Sequence, residues 1–264
     1  MRVSGLFVYP VKGCYRTSLE TAAVEPWGLA GDRRWLIVSP ETGEALTQRD
    51  LPSLTRIRPV ATPAGLRLAP TVAVPYPVGG ELVAVTVWSS TVLTRRAGPA
   101  ADAYLSGELG RPVRLVWLDD PTRRAVDPTH GRPEDRVSFA DAYPVLLANS
   151  ASLDALNDWI TADFGEPVPM TRFRPNVVIS GAPAWAEDAW TGGRIRIGGL
   201  GFRVPTPCDR CVVTTTDQET GERGREPLRT LGRYRNVEAD LLFATNLIPD
   251  GTGEISVGDH VEVL

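Results

Sequence analysis

Apolar positions along this chain fall in short runs punctuated by glycine and proline. Over residues 1–95 they predict strands at Arg2–Tyr9, Arg34–Ser39, Leu54–Arg58, Leu66–Ala69, Glu81–Trp88 and Thr91–Thr94. The run Leu82-Val83-Ala84-Val85-Thr86-Val87-Trp88 is the clearest of them. Turn residues such as Gly28, Gly31-Asp32, Pro40, Gly43, Pro63, Gly65, Pro70 and Gly79-Gly80 recur too closely for long helices.

The first helical spacing is Ala100–Leu109, with Ala101, Tyr104, Leu105 and Leu109 on one face and Gly110 as its stop. A strand over Pro112–Leu118 follows. Residues 119–136 are then polar and aperiodic, the length of a lid, a binding loop or a mobile segment. Val145-Leu146-Leu147 predicts a buried strand end. It leads into the best helix, capped by Ser150 or Ser152, with Leu153, Leu156, Trp159, Ile160 and Phe164 as a core stripe. Strands are expected at Asn176–Ser180, Arg194–Ile197 and Phe202–Val204, and again over the β-branched run Val212–Thr216. Thr216–Gly224 is a polar loop, Pro227 opens a short helix through Leu228, Leu231 and Tyr234, and His260–Leu264 closes the chain as a strand. The class is α+β, mainly β, with a barrel-like core and a few helices.

Charge narrows the function classes. Against 28 basic side chains stand 32 acidic ones, net −4, so no global basic balance points to nucleic acid. The apolar N-terminal run is stopped by Pro10, and no later stretch approaches the roughly 20 apolar residues of a membrane span. Three cysteines make no disulfide framework, and the chain reads as cytoplasmic. Lys12 is the only lysine among the basic residues. As a compact point charge, it suits a phosphate or oxyanion.

Candidate chemistry centres on Pro207-Cys208-Asp209-Arg210-Cys211. A thiol beside a fixed guanidinium can hold a soft metal or ionise more readily. Zinc lacks ligands: beyond the pair there are only Cys14, His130 and His260, none at ligand spacing. A thioredoxin-type dithiol wants its first cysteine at a helix N-terminus, and two small buried hydrophobes are the plain alternative. Lys12, Arg33, Arg34, Arg172, Arg174 and Arg210 sit in loop or strand-end contexts, with Asn176 able to donate and accept. Together they could form a pocket for a phosphorylated ligand beside a thiolate, which favours a redox metal such as molybdenum over zinc.

Several ordered blocks then resemble a known family. They are Tyr9-Pro10-Val11-Lys12-Gly13, Gly31-Asp32-Arg33-Arg34-Trp35-Leu36, Phe173-Arg174-Pro175-Asn176, Ala186-Glu187-Asp188 with Trp190, Cys208-x-x-Cys211-x-x-Thr214-Thr215, Glu226-Pro227-Leu228 and Val257-Gly258-Asp259. The chain is similar over essentially its whole length to the MOSC proteins, in the branch that includes the mitochondrial amidoxime reducing component and its bacterial relatives. The resemblance implies a MOSC N-terminal β-barrel domain over 1–98 and a MOSC domain over 99–264. It also implies a molybdenum cofactor (molybdenum-molybdopterin) with Cys211 as metal ligand and catalytic residue.

By the same resemblance Lys12, Gly13, Arg33, Arg174, Asn176, Asp209 and Arg210 match cofactor-contacting positions; Asp141-Ala142-Tyr143 occupies a further such stretch in which only the aspartate matches well, and Cys208 is expected to be structural or to stand behind the metal ligand. Gly13 stands where mitochondrial members have serine, and Asn246 lies in a segment that departs from the family's pattern. The implied activity is reduction of N-hydroxylated or otherwise N-oxygenated small molecules. Electrons would come from a separate protein, a ferredoxin or flavin reductase or a cytochrome b5-like donor, with neither nucleic acid nor membrane as partner. A sulfur-carrier or sulfurase role, or cofactor binding without turnover, are the alternatives. Pyridoxal phosphate binding is a further label at family level.

Overall fold

The computed structural model describes residues 1–264. The fold is α+β and mainly β, with three helices, α1 (Pro99–Leu109), α2 (Ser150–Ala162) and α3 (Leu228–Tyr234). Its largest sheet runs in the order Thr17–Leu19, Arg2–Val8, Val177–Ser180, Val145–Asn149, Asp240–Pro249, Leu200–Arg203, Arg194–Ile197, Val261–Val263. Two short strands, Pro207–Asp209 and Asn236–Val237, also pair with Asp240–Pro249. The sheet curls back on itself, because Arg2 bridges His260 and the Val261 N–H donates to the Met1 carbonyl. Such closure hides edges that would otherwise offer unpaired backbone groups. The inside is filled by Val3, Leu6, Leu147, Ile179, Ile195, Phe202 and their neighbours, so the first strand shares its core with the C-terminal half.

A four-stranded sheet of Trp35–Val38, Arg114–Trp117, Ser90–Arg96 and Leu82–Val87 stands beside this barrel. Helix α1 buries Ala101, Leu105 and Leu109 against it and ends at Gly110, whose φ of 67° is the left-handed stop that glycine allows. Val145–Asn149 and Val177–Ser180 are parallel, and α2 is the crossover between them.

Four expectations fail locally. Leu54–Arg58 is not a strand: Pro52–Arg56 winds as a 3-10 turn, with the Thr55 hydroxyl bonded back to the Pro52 carbonyl. Val212–Thr216 is not a strand either. Val212–Thr215 is a 3-10 turn in which Thr214 and Thr215 hydroxyls donate to the carbonyls three residues back. Side chains that satisfy the local backbone outweigh β-propensity there. Helix α2 is capped by Asn149, whose Oδ1 accepts from Ala151 N, rather than by a serine. Phe164 lies beyond that helix at φ 59°, fully exposed, and takes no part in the core stripe.

Candidate functional site

One cavity of about 1140 Å³ lies between the barrel and the four-stranded sheet, and every sequence-nominated site residue lines it. These are Lys12, Gly13, Arg33, Asp141, Ala142, Tyr143, Arg174, Asn176, Asp209, Arg210, Cys211 and Asn246. Arg34 and Arg172, also in the cation set, do not line it: Arg34 donates to the Leu118 carbonyl and Arg172 pairs with Asp217 at 3.1 Å.

The floor is built from the turns that flank Arg2–Val8 and Trp35–Val38. Asp32 accepts from the Tyr9 N–H at 2.8 Å, and the Arg33 N–H donates to the Tyr9 carbonyl at 2.8 Å, which locks the two turns together. Arg33 then gives Nη1 to Asp32 at 2.5 Å and to Asn176 Oδ1 at 3.2 Å, and Nη2 to the Arg174 carbonyl. Arg33 and Arg174 both lie over the buried Tyr9 ring, their guanidinium carbons 4.4 and 4.1 Å from its centroid. Arg174 is 8% exposed and donates to Gln218 Oε1 and the Cys14 carbonyl. Burial pushes its guanidinium down to about 10. Asn176 is a strut, accepting from Leu146 N and donating to the Phe7 carbonyl, so it ties three strands under the cations.

Lys12 is 7% exposed and gives its ammonium to the Phe139 carbonyl at 2.7 Å and to Asp141 Oδ1 at 2.5 Å. Burial lowers its pKa, with Asp141 opposing the change. The Asp141 side chain is 69% exposed, open to the cavity rather than packed. Its depth in the cavity would raise the carboxyl, but Lys12, Arg33 and the hydrogen bond from Trp88 outweigh that and hold it below the ordinary carboxylate range. Gly13, at φ 80°, turns the chain where a side chain would be strained, and its carbonyl accepts from Gln48 at 2.6 Å.

The two cysteines are unlike. Cys208 lies in strand Pro207–Asp209, and Arg210 Nη1 donates to its Sγ at 2.8 Å. Burial raises the Cys208 thiol's pKa, with Arg210 working against it. Cys211 stands where that strand gives way to the Val212–Thr215 turn, half-buried on the cavity wall. Asp209 accepts from Leu241 N, and Asn246 Nδ2 donates to the Pro207 carbonyl at 3.2 Å, so both brace the cysteine strand against Asp240–Pro249.

Several residues in or behind the cavity wall carry no sequence signal of this kind. Arg124, in the aperiodic 119–136 segment, is 5% exposed and clamps the Ser138, Ala140 and Asp141 carbonyls. That segment is also fastened by Asp135, bidentate to Arg203 at 2.9 and 2.5 Å. Gln48 and Gln218 exchange amide hydrogen bonds at 3.1 and 3.0 Å and prop Arg174 from below. Trp88 and Arg49 complete the wall above Lys12. Only an arginine inside an otherwise polar loop, or a tryptophan at a hairpin tip, would have hinted at them.

The donor set fits a phosphorylated cofactor that brings its own metal. Seven cations and five carboxylates line the cavity in a chain of net charge −4. The Nε atoms of Arg124 and Arg210, both on its wall, are buried without a partner, and unmet donors of this kind are costly. No three His, Cys, Asp or Glu side chains converge, so these side chains alone build no metal cage.

The MOSC N-terminal beta barrel domain model matches residues 1–112 and the MOSC domain model residues 134–262. The human mitochondrial amidoxime-reducing component 1 is 30% identical over 285 residues, covering 99% of this chain and 82% of that protein. Its mouse counterpart is 31% identical, covering 99% and 82%. The molybdenum cofactor sulfurase of Oryza sativa subsp. japonica is 28% identical over all of this chain, which spans only 35% of that protein's length.

Proposed function

The chain belongs to the MOSC family, and we propose that it binds a molybdenum cofactor in this cavity and reduces N-hydroxylated or otherwise N-oxygenated small molecules. The single observation that carries the reading is the meeting of all twelve nominated residues on one cavity, with cations on the floor and a thiol on the wall. When bound, the cofactor supplies a two-electron metal centre able to reduce an N–O bond, fed by a separate electron-donor protein. The protein's own share is binding and orientation. Lys12, Arg33, Arg174 and Arg210 bring positive charge to the phosphate and ring edges, and Asp141 offers an acceptor to ring N–H groups.

Cys211 is the metal ligand in this proposal. The Cys208 thiol already receives the Arg210 guanidinium and is kept protonated by burial, so it serves as an anchor for Arg210. Pyridoxal phosphate has less behind it, because the one lysine able to form an imine is held by Phe139 and Asp141. No helix is long and apolar enough to cross a membrane.

Molybdenum and pterin content of protein purified from a cofactor-competent host tests the reading. Cys211→Ala should lose the metal while Cys208→Ala keeps most of it. Equal loss in both variants would overturn the assignment of the ligand, and a wild type without molybdenum would overturn the cofactor itself. Similarity to the sulfurases favours a second reading, a cysteine persulfide filled by a desulfurase. Sulfur label on Cys211 of pterin-free protein would support that reading instead.

A further inference from the structure

Trp88 differs from the rest of the cavity wall in its backbone. It is the first of two residues turning the hairpin between Leu82–Val87 and Ser90–Arg96, with Val87 opposite Ser90. Its φ is 54°. A two-residue turn asks for glycine or asparagine at such a position, and a bulky aromatic there is strained. Strain of this kind persists only where the surroundings impose it, and it gathers at functional sites. Burial of the ring does not offset it, since Trp88 remains 45% exposed.

What the indole does instead is hold charged groups. Its Nε1–H donates to Asp141 Oδ1 at 3.1 Å, the same oxygen that takes the Lys12 ammonium at 2.5 Å. Lys12 Nζ lies 5.7 Å and the Arg49 guanidinium carbon 4.7 Å from the Trp88 ring centroid. Arg49 is exposed on the cavity wall and forms no salt bridge within 4.0 Å, so the ring is what orients it.

We propose that Trp88 is a positioning residue: the hairpin keeps a strained turn so that the indole fixes the Lys12–Asp141 pair and Arg49 in their places on the cavity wall. The ligand such a wall takes is one with a phosphate or other oxyanion for Lys12 and Arg49 and an N–H edge for the free oxygen of Asp141. The identity of that ligand rests on the cofactor reading above; the holding of Lys12 does not.

Because Lys12 is the only lysine, amine-directed labelling reads one side chain apart from the α-amino group. The experiment compares full-length wild type with Trp88→Asn, Trp88→Phe and Trp88→His. It follows reductive methylation of Lys12 by peptide mass spectrometry, Tm, and bound pterin after expression in a cofactor-competent host. Trp88→Asn should keep or raise Tm, because asparagine suits the turn. Its Lys12 should label about fivefold faster, the effect of losing one ordinary hydrogen bond from the closed pair, and its pterin content should fall. Trp88→Phe keeps the ring but not the N–H and should label like the asparagine variant. Trp88→His keeps a ring N–H donor and should return to within about twofold of wild type.

Wild-type labelling in Trp88→Phe, or a large loss of Tm in Trp88→Asn with Lys12 labelling unchanged, overturns the proposal and makes Trp88 a packing residue. Absence of pterin from wild type would sink the cofactor reading, while the labelling rates would still decide the role of Trp88.

Discussion

Replacing Arg124 by alanine asks whether the loop carrying Asp141 is held from behind. Arg124 is 5% exposed, and its Nη1 donates to the Ser138 and Ala140 carbonyls at 2.5 Å each. Its Nη2 donates to the Asp141 carbonyl at 2.8 Å. Burial, opposed by Asp141, pushes the guanidinium from 12.5 down to about 10. At about 1.4 kcal/mol for each tenfold in proton affinity, keeping the cation there costs about 3 kcal/mol. Stranding three carbonyls costs more, about 2 kcal/mol each or about 6 in all. The net loss for Arg124→Ala is therefore about 3 kcal/mol, a fall in Tm of roughly 6–10 °C for a chain of this size. Differential scanning calorimetry reads the loss, and amide hydrogen exchange over Ser138–Asp141 reads where it falls. A Tm within about 2 °C of wild type, with unchanged protection in that loop, would refute the clamp.

Two further outcomes follow from other buried features. Glu187 is fully buried, accepting from Ser152 Oγ at 2.7 Å and Asn149 Nδ2 at 3.1 Å, and burial raises its pKa above the ordinary 4.5. The folded protein thus holds this proton where the unfolded chain has released it, and stability falls as pH rises from 4.5 through the folded value. Glu187→Gln escapes that loss, so its Tm relative to wild type should climb as pH rises above 4.5 and level off once the folded Glu187 ionises; a difference that stays constant with pH would show that Glu187 does not titrate there. Gly28 has φ 124°, and a Cβ on it would stand 2.7 Å from the Pro144 carbonyl oxygen, a backbone atom that cannot rotate away. Gly28→Ala should destabilise by about 3 kcal/mol in urea unfolding, and a midpoint equal to wild type would mean that the Pro144 stretch yields freely.

Much of the architecture is legible in the residue pattern because the relevant forces are local. The run Leu82–Val87, the α1 face ending at Gly110 and the α2 stripe through Leu156 and Ile160 each carry their own periodicity and punctuation. The pattern misleads where a side chain finds a nearer partner than the next strand. Val212–Thr215 has strand composition, yet its threonine hydroxyls close a tight turn on their own carbonyls. The long strand Asp240–Pro249 is not legible in the residue pattern: apart from the two-residue neighbour Asn236–Val237, its ladder partners lie far away in sequence, at Val145–Leu147, Leu200–Arg203 and Pro207–Asp209.

The candidate site divides along the same line. The chain by itself names the residue types of an anion-holding, thiol-bearing pocket: a lone lysine, arginines at strand ends and two cysteines three apart. Their chemistry is intrinsic to the side chains, so it survives without coordinates. Only the tertiary structure brings Lys12 to Asp141, 129 positions on, and Arg33 to Asn176, 143 positions on. Only it gives Arg210 to Cys208 and leaves Cys211 facing the cavity, and only it recruits Arg124 and Trp88. Those choices depend on which polar groups are buried together when the sheets close, a property of the packed chain that no local run of residues encodes.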